Sequence, residues 1–534
     1  MEGAGAVPGA APPGDHRRGA RERPGRPAAD RRGLRRPGVR RRRGGRAGRA
    51  RGRAGGRRRA VSGWAARVAV RGLEDFDEPK DWPRAARALL LAAEEAASRA
   101  ATADAEVLAG RALDAAHHAG EDEYVSRALL ARGRFRVVLT DFPAAYDDQR
   151  AALAHARQAG DRGLEMLALR ELGGHAGIVV SMAEATGFLS DGLRIAESLG
   201  DRGMQARFQA WLAVLASNRL RFDEALSAGR RAAAAGRAAA DDSALAAGLD
   251  GLKNAHAYLG ELGPLREVLD ELVPLVRRLG DPELLQWAVF ESAFAAVGAA
   301  DWDGAEGRIG EAIAISARCG YTLDEGWFTA HLAWVARLRG HHERSLDHAG
   351  RAMGLVQGTD HRWYATSADV QMAGTLLELG RTEQAVALLT AARERAEREG
   401  AEAYLLRCLG ALAEATGSPA VLADADALLA RVAAPPGSAW LLGTDAYLAV
   451  ARAWLDQDEP ARARAVISTL LAAAERQGWV PALAAGGLVN GRAAAALGDL
   501  DSARWALRRA LGLARRHGMP HVERDAAAAL EGLC

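Results

Sequence analysis

The side chains best suited to bind a metal ion are three histidines and an aspartate, His341, His342, Asp347 and His348. His341 and His348 are seven residues apart and could share one face of a helix, but His341 falls where that helix begins. Zinc sites on a single helix use histidines four residues apart. We therefore interpret this group as a solvated turn and helix start, and we predict neither a bound metal nor another cofactor.

The three cysteines, Cys319, Cys408 and Cys534, are too far apart in the sequence for a zinc ribbon or a disulfide framework. Cys319 and Cys408 recur at positions where other repeats carry small or apolar residues, so we expect both to pack as apolar side chains. The only lysines, Lys80 and Lys253, do not belong to a phosphate-binding loop, and no Gly-x-Ser-x-Gly nucleophile motif occurs. The sequence predicts a protein that is not an enzyme.

Aromatic side chains are the strongest candidates for a binding role. Trp327, His331 and Trp334 are four and three residues apart, so they lie on one face of a predicted helix, and Trp363 and Tyr364 open the corresponding helix of the next unit. Because tryptophan dominates binding hot spots, these five residues are the predicted partner contact surface. The competing interpretation, which we favour, is that they pack between neighbouring repeats.

These residues belong to a repeat of about 40 residues. Each unit contains two predicted helices, with apolar residues three, four and seven apart along one face. A lone helix pair could not bury both apolar faces, so the units must stack. Residues that close a predicted helix recur at the period of the repeat, namely Gly120, Gly160, Gly200, Ala240, Gly280, Gly320 and Gly400.

The period predicts an all-α fold, a right-handed α-solenoid of about eleven helix-turn-helix repeats preceded by a disordered tail. The tail is predicted at residues 1–71 and the first solenoid segment at 72–433. Two consecutive prolines end a helix firmly, so we place a break at 434–438. The C-terminal solenoid segment then covers 439–534.

Charge is divided unevenly along the chain. Residues 1–60 contain 20 arginines, four acidic residues and no aromatic residue, whereas the rest of the chain has a net charge of about −13. Clustered arginines neutralise phosphates, but proteins that bind single strands usually interleave aromatic residues. We therefore expect no nucleic-acid binding from the acidic body. For the tail we favour a disordered extension without function, or translation that starts further downstream.

The segments Leu-Leu-Glu-Leu-Gly-Arg-Thr-Glu-Gln-Ala at 376–385 and Ala-Leu-Gly-Asp-Leu-Asp-Ser-Ala-Arg at 496–504 resemble tetratricopeptide repeats. The longer period is similar to that of the C-terminal sensor arms of large bacterial regulatory ATPases, including LuxR-type activators and ATPase-linked nucleotide cyclases. The resemblance implies an arm that receives an inducer or a partner. ATP hydrolysis and DNA binding are not implied, because the chain has no phosphate-binding loop and no helix-turn-helix segment after the last repeat.

The predicted function is a non-catalytic scaffold that binds a protein or peptide partner along its concave surface. The alternative is the ligand-sensing arm of a transcription-regulating ATPase or nucleotide cyclase, encoded as a fragment or a split gene, whose ligand is a small-molecule inducer. No apolar run reaches the roughly 20 residues of a membrane-spanning helix. The few cysteines fit a reducing compartment, and the abundance of alanine and arginine points to a GC-rich bacterial genome. We expect a cytoplasmic protein.

Overall fold

The computed structural model describes residues 82–99, 101–357, 359 and 361–533. The tail predicted at residues 1–71 lies outside these residues, as does Cys534. The described residues form 23 α-helices and one short 3₁₀ helix, and their only β-type pairing is a single isolated bridge. The predicted all-α architecture is confirmed. No described helix combines the length and the apolar character that crossing a membrane requires.

Successive helices form pairs, and the pairs follow one another along the chain. The first helices of the pairs are α1 (Trp82–Ala97), α3 (Asp122–Val138), α5 (Arg162–Val179), α7 (Arg202–Asn218), α9 (Asp242–Leu259), α11 (Pro282–Gly298), α13 (Thr322–Leu338), α15 (Arg362–Glu378), α17 (Glu402–Thr416), α19 (Thr444–Asp456) and α21 (Val480–Ala496). The second helices are α2 (Thr102–Ala119), α4 (Phe142–Gln158), α6 (Met182–Ser198), α8 (Phe222–Ala239), α10 (Leu262–Leu279), α12 (Trp302–Cys319), α14 (His342–Val356), α16 (Thr382–Glu399), α18 (Pro419–Ala430), α20 (Pro460–Gln477) and α22 (Leu500–Arg516). A last helix, α23 (Pro520–Glu531), follows.

The residues that recur about every 40 positions in the sequence lie at the C-terminal ends of second helices. The helix-closing glycines named above adopt left-handed backbone angles, and Ala240 adopts the same conformation with φ of 50°. The next helix then begins at a capping aspartate: the side chain of Asp161 accepts a hydrogen bond from the backbone N–H of Leu164, at 3.0 Å. Helix ends are therefore set by local sequence.

First helices lie on the inner, concave side of the solenoid. Each packs against the first helix of the next pair, as α7 does against α9 and α13 against α15, whereas second helices mainly contact their own pair and the following first helix. In a curved stack the inner layer is the more crowded one. One apolar cluster runs through these layers from Tyr146 to Ala526.

The solenoid also contacts itself about five pairs further along the chain. Inner helix α5 touches α15, α7 touches α17, and α11 touches α21. The indole Nε1 of Trp302 donates a hydrogen bond to the carbonyl oxygen of His517 at 2.6 Å. Gly260 has a φ of 66°, and a Cβ atom there would lie only 2.7 Å from Leu441, so this turn needs glycine both for its conformation and for the close approach.

The predicted break at 434–438 falls between the end of α18 and the 3₁₀ helix Leu441–Gly443 that precedes α19. Just before it, the N–H of Ala433 donates to the carbonyl of Leu220 at 2.9 Å, and the N–H of Phe222 donates to the carbonyl of Ala433 at 2.7 Å. This stretch therefore rests on the turn between α7 and α8. The division of the solenoid there into two segments stays a prediction.

Candidate functional site

The predicted contact residues come together on the first helices α13 and α15. The ring centroid of Trp327 lies 4.7 Å from that of Tyr364, 5.8 Å from that of Trp363 and 5.0 Å from that of His331. Trp334 lies further along α13, with its ring 6.3 Å from that of His331. Four of the five residues thus form one cluster on the inner side, and Trp334 lies at its edge.

Most of this aromatic surface is buried. Trp327, His331, Trp334 and Tyr364 are between 5% and 8% exposed, and only Trp363 is partly exposed. Packing between repeats, the interpretation that the sequence favoured, accounts for most of their area. A role for the five residues in partner contact stays a prediction.

His331 and His361 are neutral members of the inner layer. Burial lowers the pKa of His331 to about 4, and its Nδ1–H donates to the carbonyl of Trp327 at 2.9 Å. Burial lowers the pKa of His361 to about 3, and its ring stacks on Tyr364 with centroids 3.7 Å apart. Neither imidazole changes its charge near pH 7, so both act as aromatic packing groups.

A carboxylate that the sequence did not single out lies beside the cluster. Asp324 Oδ1 accepts a hydrogen bond from the Tyr364 hydroxyl at 3.0 Å, and Oδ2 accepts one from the Gln286 amide at 2.6 Å. The surrounding protein keeps water away from this carboxyl group, which raises its pKa to about 6. Asp324 therefore joins three consecutive first helices.

Glu283 is the second carboxylate of this region. Desolvation raises its pKa to about 7, and the negative charges of Asp324, Asp281, Asp250 and Glu171 act in the same direction. Glu171, Asp250, Glu283 and Asp324 come from four different first helices, so the curvature of the solenoid focuses negative charge on the inner side. Within the residues that the structure describes, neither Glu283 nor Asp324 forms an ion pair with Arg, Lys or His.

Lys253 neutralises a neighbouring part of the same surface. Its ammonium lies 2.8 Å from Asp250 Oδ1 and 3.3 Å from Glu291 Oε2, and Lys253 and Glu291 are both buried. Asn254 adds a hydrogen bond from its amide to Glu291 Oε1 at 3.3 Å. This internal cation is committed to Asp250 and Glu291, and it leaves the charges of Glu283 and Asp324 uncompensated.

Two buried polar side chains of α13 and α15 lack hydrogen-bond partners in the part of the chain that the structure describes. The indole N–H of Trp327 is buried and has no acceptor among the described residues. The amide of Gln371, which is 1% exposed and lies two helical turns after Tyr364, has no partner in that part of the chain for either its oxygen or its nitrogen. Buried polar groups in folded proteins are nearly always hydrogen-bonded. These two side chains therefore retain hydrogen-bonding capacity that the described residues do not use.

We call this region the acid–aromatic site. A sequence signal for it exists in retrospect, because an acidic residue precedes a tryptophan by three or four positions in two consecutive units, as in Asp324 and Trp327. A charge on an amphipathic helix is usually a solvated residue, and only the curvature shows that these carboxylates face inward. The site comprises Glu283, Trp287, Asp324, Trp327 and Tyr364.

The other candidate chemical groups are dispersed. His342 Nε2 lies 2.8 Å from Glu378 Oε2, and the described residues contain no group of three or more Asp, Glu, His or Cys side chains that could bind a metal ion. Cys408 is buried as expected, and burial raises its pKa to about 12. Cys319 is exposed, so the expectation that it packs as an apolar side chain is wrong: it is the last residue of α12, where the helix points into solvent.

No protein-family model and no curated protein matches this chain. Several solved structures are similar to this chain. A Rap protein complexed with competence and sporulation factor is similar over 73% of this chain and 98% of its own, with 10% identity and a TM-score of 0.47. The Cut9–Hcn1 heterotetramer of the APC/C is similar over 90% of this chain and 95% of its own, with 13% identity and a TM-score of 0.47.

A third structure is that of a STAND signal-transduction ATPase with a tetratricopeptide repeat sensor from Pyrococcus horikoshii. The similarity covers 76% of this chain but only 54% of the ATPase, with 14% identity and a TM-score of 0.37. This ATPase carries a tetratricopeptide repeat sensor, the kind of arm that the sequence resembles. At these identities no partner can be transferred from any of these proteins to this chain.

Proposed function

We propose that this protein is a non-catalytic helical-repeat scaffold that binds a segment of a partner protein along the inner surface formed by its first helices. The observation that carries the proposal is the acid–aromatic site, where two carboxylates without a basic partner and a buried indole N–H without an acceptor come from neighbouring first helices of the described chain. An interior that served stability alone would be apolar, because burying unpaired polar groups costs free energy. An occupant that supplies the missing partners removes this cost.

A peptide is the occupant that suits the surface. A peptide main chain offers carbonyl acceptors, which suit the indole N–H of Trp327 that the described residues leave unpartnered. Aromatic side chains supply large contact area at low cost in conformational entropy. The partly exposed Trp363 extends this contact area beyond the buried cluster.

The alternative, a ligand-sensing arm of a regulatory ATPase or cyclase, would use the same surface for a small-molecule inducer. The two readings differ in the size of the occupant. A peptide spans several first helices, whereas a small inducer contacts one pocket. Substitutions on helices remote from the acid–aromatic site therefore weaken only peptide binding.

The test is selection of a random peptide library displayed on phage against the full chain, followed by calorimetric measurement of the dissociation constants of the enriched peptides. We expect enriched peptides whose affinity falls about tenfold or more with Trp363→Ala, since an aromatic anchor at an interface is typically worth more than 1 kcal/mol. Trp505→Ala is the matched control, because Trp505 is 63% exposed on the outer helix α22. Failure to enrich any peptide, or equal losses with both variants, would refute the proposal.

A further inference from the structure

The charge of the acid–aromatic site specifies what its occupant must carry, an inference that rests on the proposed function. Asp324 is partly buried and Glu283 beside it retains exposure to solvent, and neither carboxylate has a basic partner in the described part of the chain. Asp324 is held in place by Tyr364 and Gln286, so its position is set before any ligand arrives. A preorganised carboxylate with a second carboxylate nearby and no counter-ion attracts a cation.

The geometry favours an organic cation over a metal ion. Among the described residues no three ligating side chains approach one another closely enough to hold a metal. The walls of the site are instead aromatic, with the ring of Trp327 6.3 Å from that of Trp287 and 4.7 Å from that of Tyr364. Aromatic faces attract ammonium and guanidinium groups through their quadrupoles.

The free indole N–H is a second, independent sign of a ligand at this place. Trp327 is 5% exposed, and its ring contacts Tyr364, the residue that donates to Asp324. The unused donor therefore belongs to the same site as the carboxylates. The indole N–H of Trp327 can donate one hydrogen bond, and a main-chain carbonyl next to a cationic residue of a peptide would accept it.

The protein already contains one such arrangement. The guanidinium of Arg407 lies 5.2 Å from the ring centroid of Trp440 and 5.9 Å from that of Tyr404. Its Nε lies 3.6 Å from Asp445 Oδ1, and its Nη2 donates to the carbonyl of Leu442 at 2.6 Å. A buried cation in this inner layer is thus held by aromatic rings, a carboxylate and a main-chain carbonyl together.

We propose that the bound partner segment places an arginine or lysine side chain in the acid–aromatic site, between the carboxylates of Glu283 and Asp324. The aromatic rings then contact the alkyl and cationic parts of that side chain, and the main chain beside it accepts from Trp327. The chain supplies the negative charge and the partner supplies the positive charge. Acidic and uncharged segments are rejected, because they leave the two carboxylates without a counter-charge.

The test uses four pools of octapeptides with a fixed central residue: arginine, lysine, citrulline or glutamate. Citrulline has nearly the shape of arginine without its charge. Binding of each fluorescein-labelled pool to the full chain is measured by anisotropy. We expect the arginine and lysine pools to bind about tenfold or more tightly than the citrulline pool, because a charge-assisted hydrogen bond is stronger than a neutral one.

Two variants identify the site. Glu283→Gln removes a charge that has no partner, so the variant should fold, and we expect it to reduce the arginine-to-citrulline preference to about threefold or less. Asp501→Asn removes a negative charge from a fully exposed position on α22 and should leave the preference unchanged. A wild-type chain that binds the citrulline pool as tightly as the arginine pool, or a preference that survives Glu283→Gln, would overturn the inference.

The same experiment separates this inference from the proposed function. If all pools bind equally and Trp363→Ala abolishes their binding, the chain is a peptide scaffold and the requirement for a cation is wrong. If no pool binds and phage selection enriches no peptide, both the inference and the proposed function are refuted.

Discussion

The ammonium of Lys253 and the carboxylate of Glu291 lie 3.3 Å apart in the buried inner layer, and they join the first helices α9 and α11. Lys253 is the only lysine in the described part of the chain. Desolvation raises the pKa of Glu291 to about 7 even though Lys253 acts in the opposite direction. The pair is thus balanced between the cost of removing two charges from water and their mutual attraction.

Removing one member of this pair should be far more costly than removing both. Lys253→Met leaves Glu291 buried without its counter-ion, and we expect it to lower the free energy of unfolding by about 3–5 kcal/mol. The double variant Lys253→Met, Glu291→Leu should recover most of this loss. Urea denaturation followed by circular dichroism measures both effects. Equal stabilities for the single variant and the wild type would show that the pair is not buried in solution.

Close packing of α8 against α9 depends on glycine. A Cβ atom at Gly248 would lie 2.5 Å from the carbonyl oxygen of Ala232, so Gly248→Ala must push the two helices apart. We expect a loss of about 1–3 kcal/mol in the free energy of unfolding. Gly310 in α12 has open space where its Cβ would be, so Gly310→Ala should stabilise by about 0.5–1 kcal/mol through its higher helix propensity. Thermal melts that rank the two variants in the opposite order would refute the packing described here.

The contact between distant pairs can be tested at Trp302. Trp302→Phe keeps a ring but removes the hydrogen bond to the carbonyl of His517, and we expect a loss of about 0.5–1.5 kcal/mol. Hydrogen exchange should increase both near residue 517 and at the start of α12, although these segments are far apart in the chain. Trp505→Phe, at an exposed position, is the control and should change neither quantity. Faster exchange only around residue 302 would mean that the two segments do not touch.

Ionisation of Glu283 should lower stability as the pH rises. Because the pKa of Glu283 is raised from 4.5 to about 7 by desolvation and by Asp324, Asp281, Asp250 and Glu171, the folded chain binds more protons than the unfolded chain between these values. Stability attributable to this group therefore falls as the pH increases from 4.5 to about 7, and it is constant above that range.

The measurement is the difference in urea midpoint between wild type and Glu283→Gln across this pH range, since titration of the buried histidines is common to both proteins and cancels. We expect the urea midpoint of the variant to increase steadily relative to that of the wild type as the pH rises. A difference that does not depend on pH would show that Glu283 titrates normally. A peptide cation bound at the acid–aromatic site should reverse the trend, because it favours the ionised carboxylate.

The sequence by itself determined the elements of this fold and their order. Helix ends follow from local chemistry, such as the left-handed residue at Ala240 and the capping carboxylate of Asp161, and buried faces follow from spacing along each helix. Contacts between neighbouring units repeat at the same period, as in the hydrogen bond from Tyr364 to Asp324 across 40 residues. Interactions that are local or recur at a fixed spacing leave a pattern that can be read without a structure.

Only the tertiary structure shows which distant pairs of the solenoid contact one another and which charged side chains lie near one another on its inner side. The contact between Trp302 and His517 spans 215 residues, and it depends on small rotations added over about five pairs, which no single repeat encodes. The same accumulated curvature brings Glu171, Asp250 and Asp324 close enough to Glu283 for their negative charges to raise its pKa. In the sequence each of them is an ordinary helix carboxylate, because the free energy of a charge depends on the groups that surround it in three dimensions.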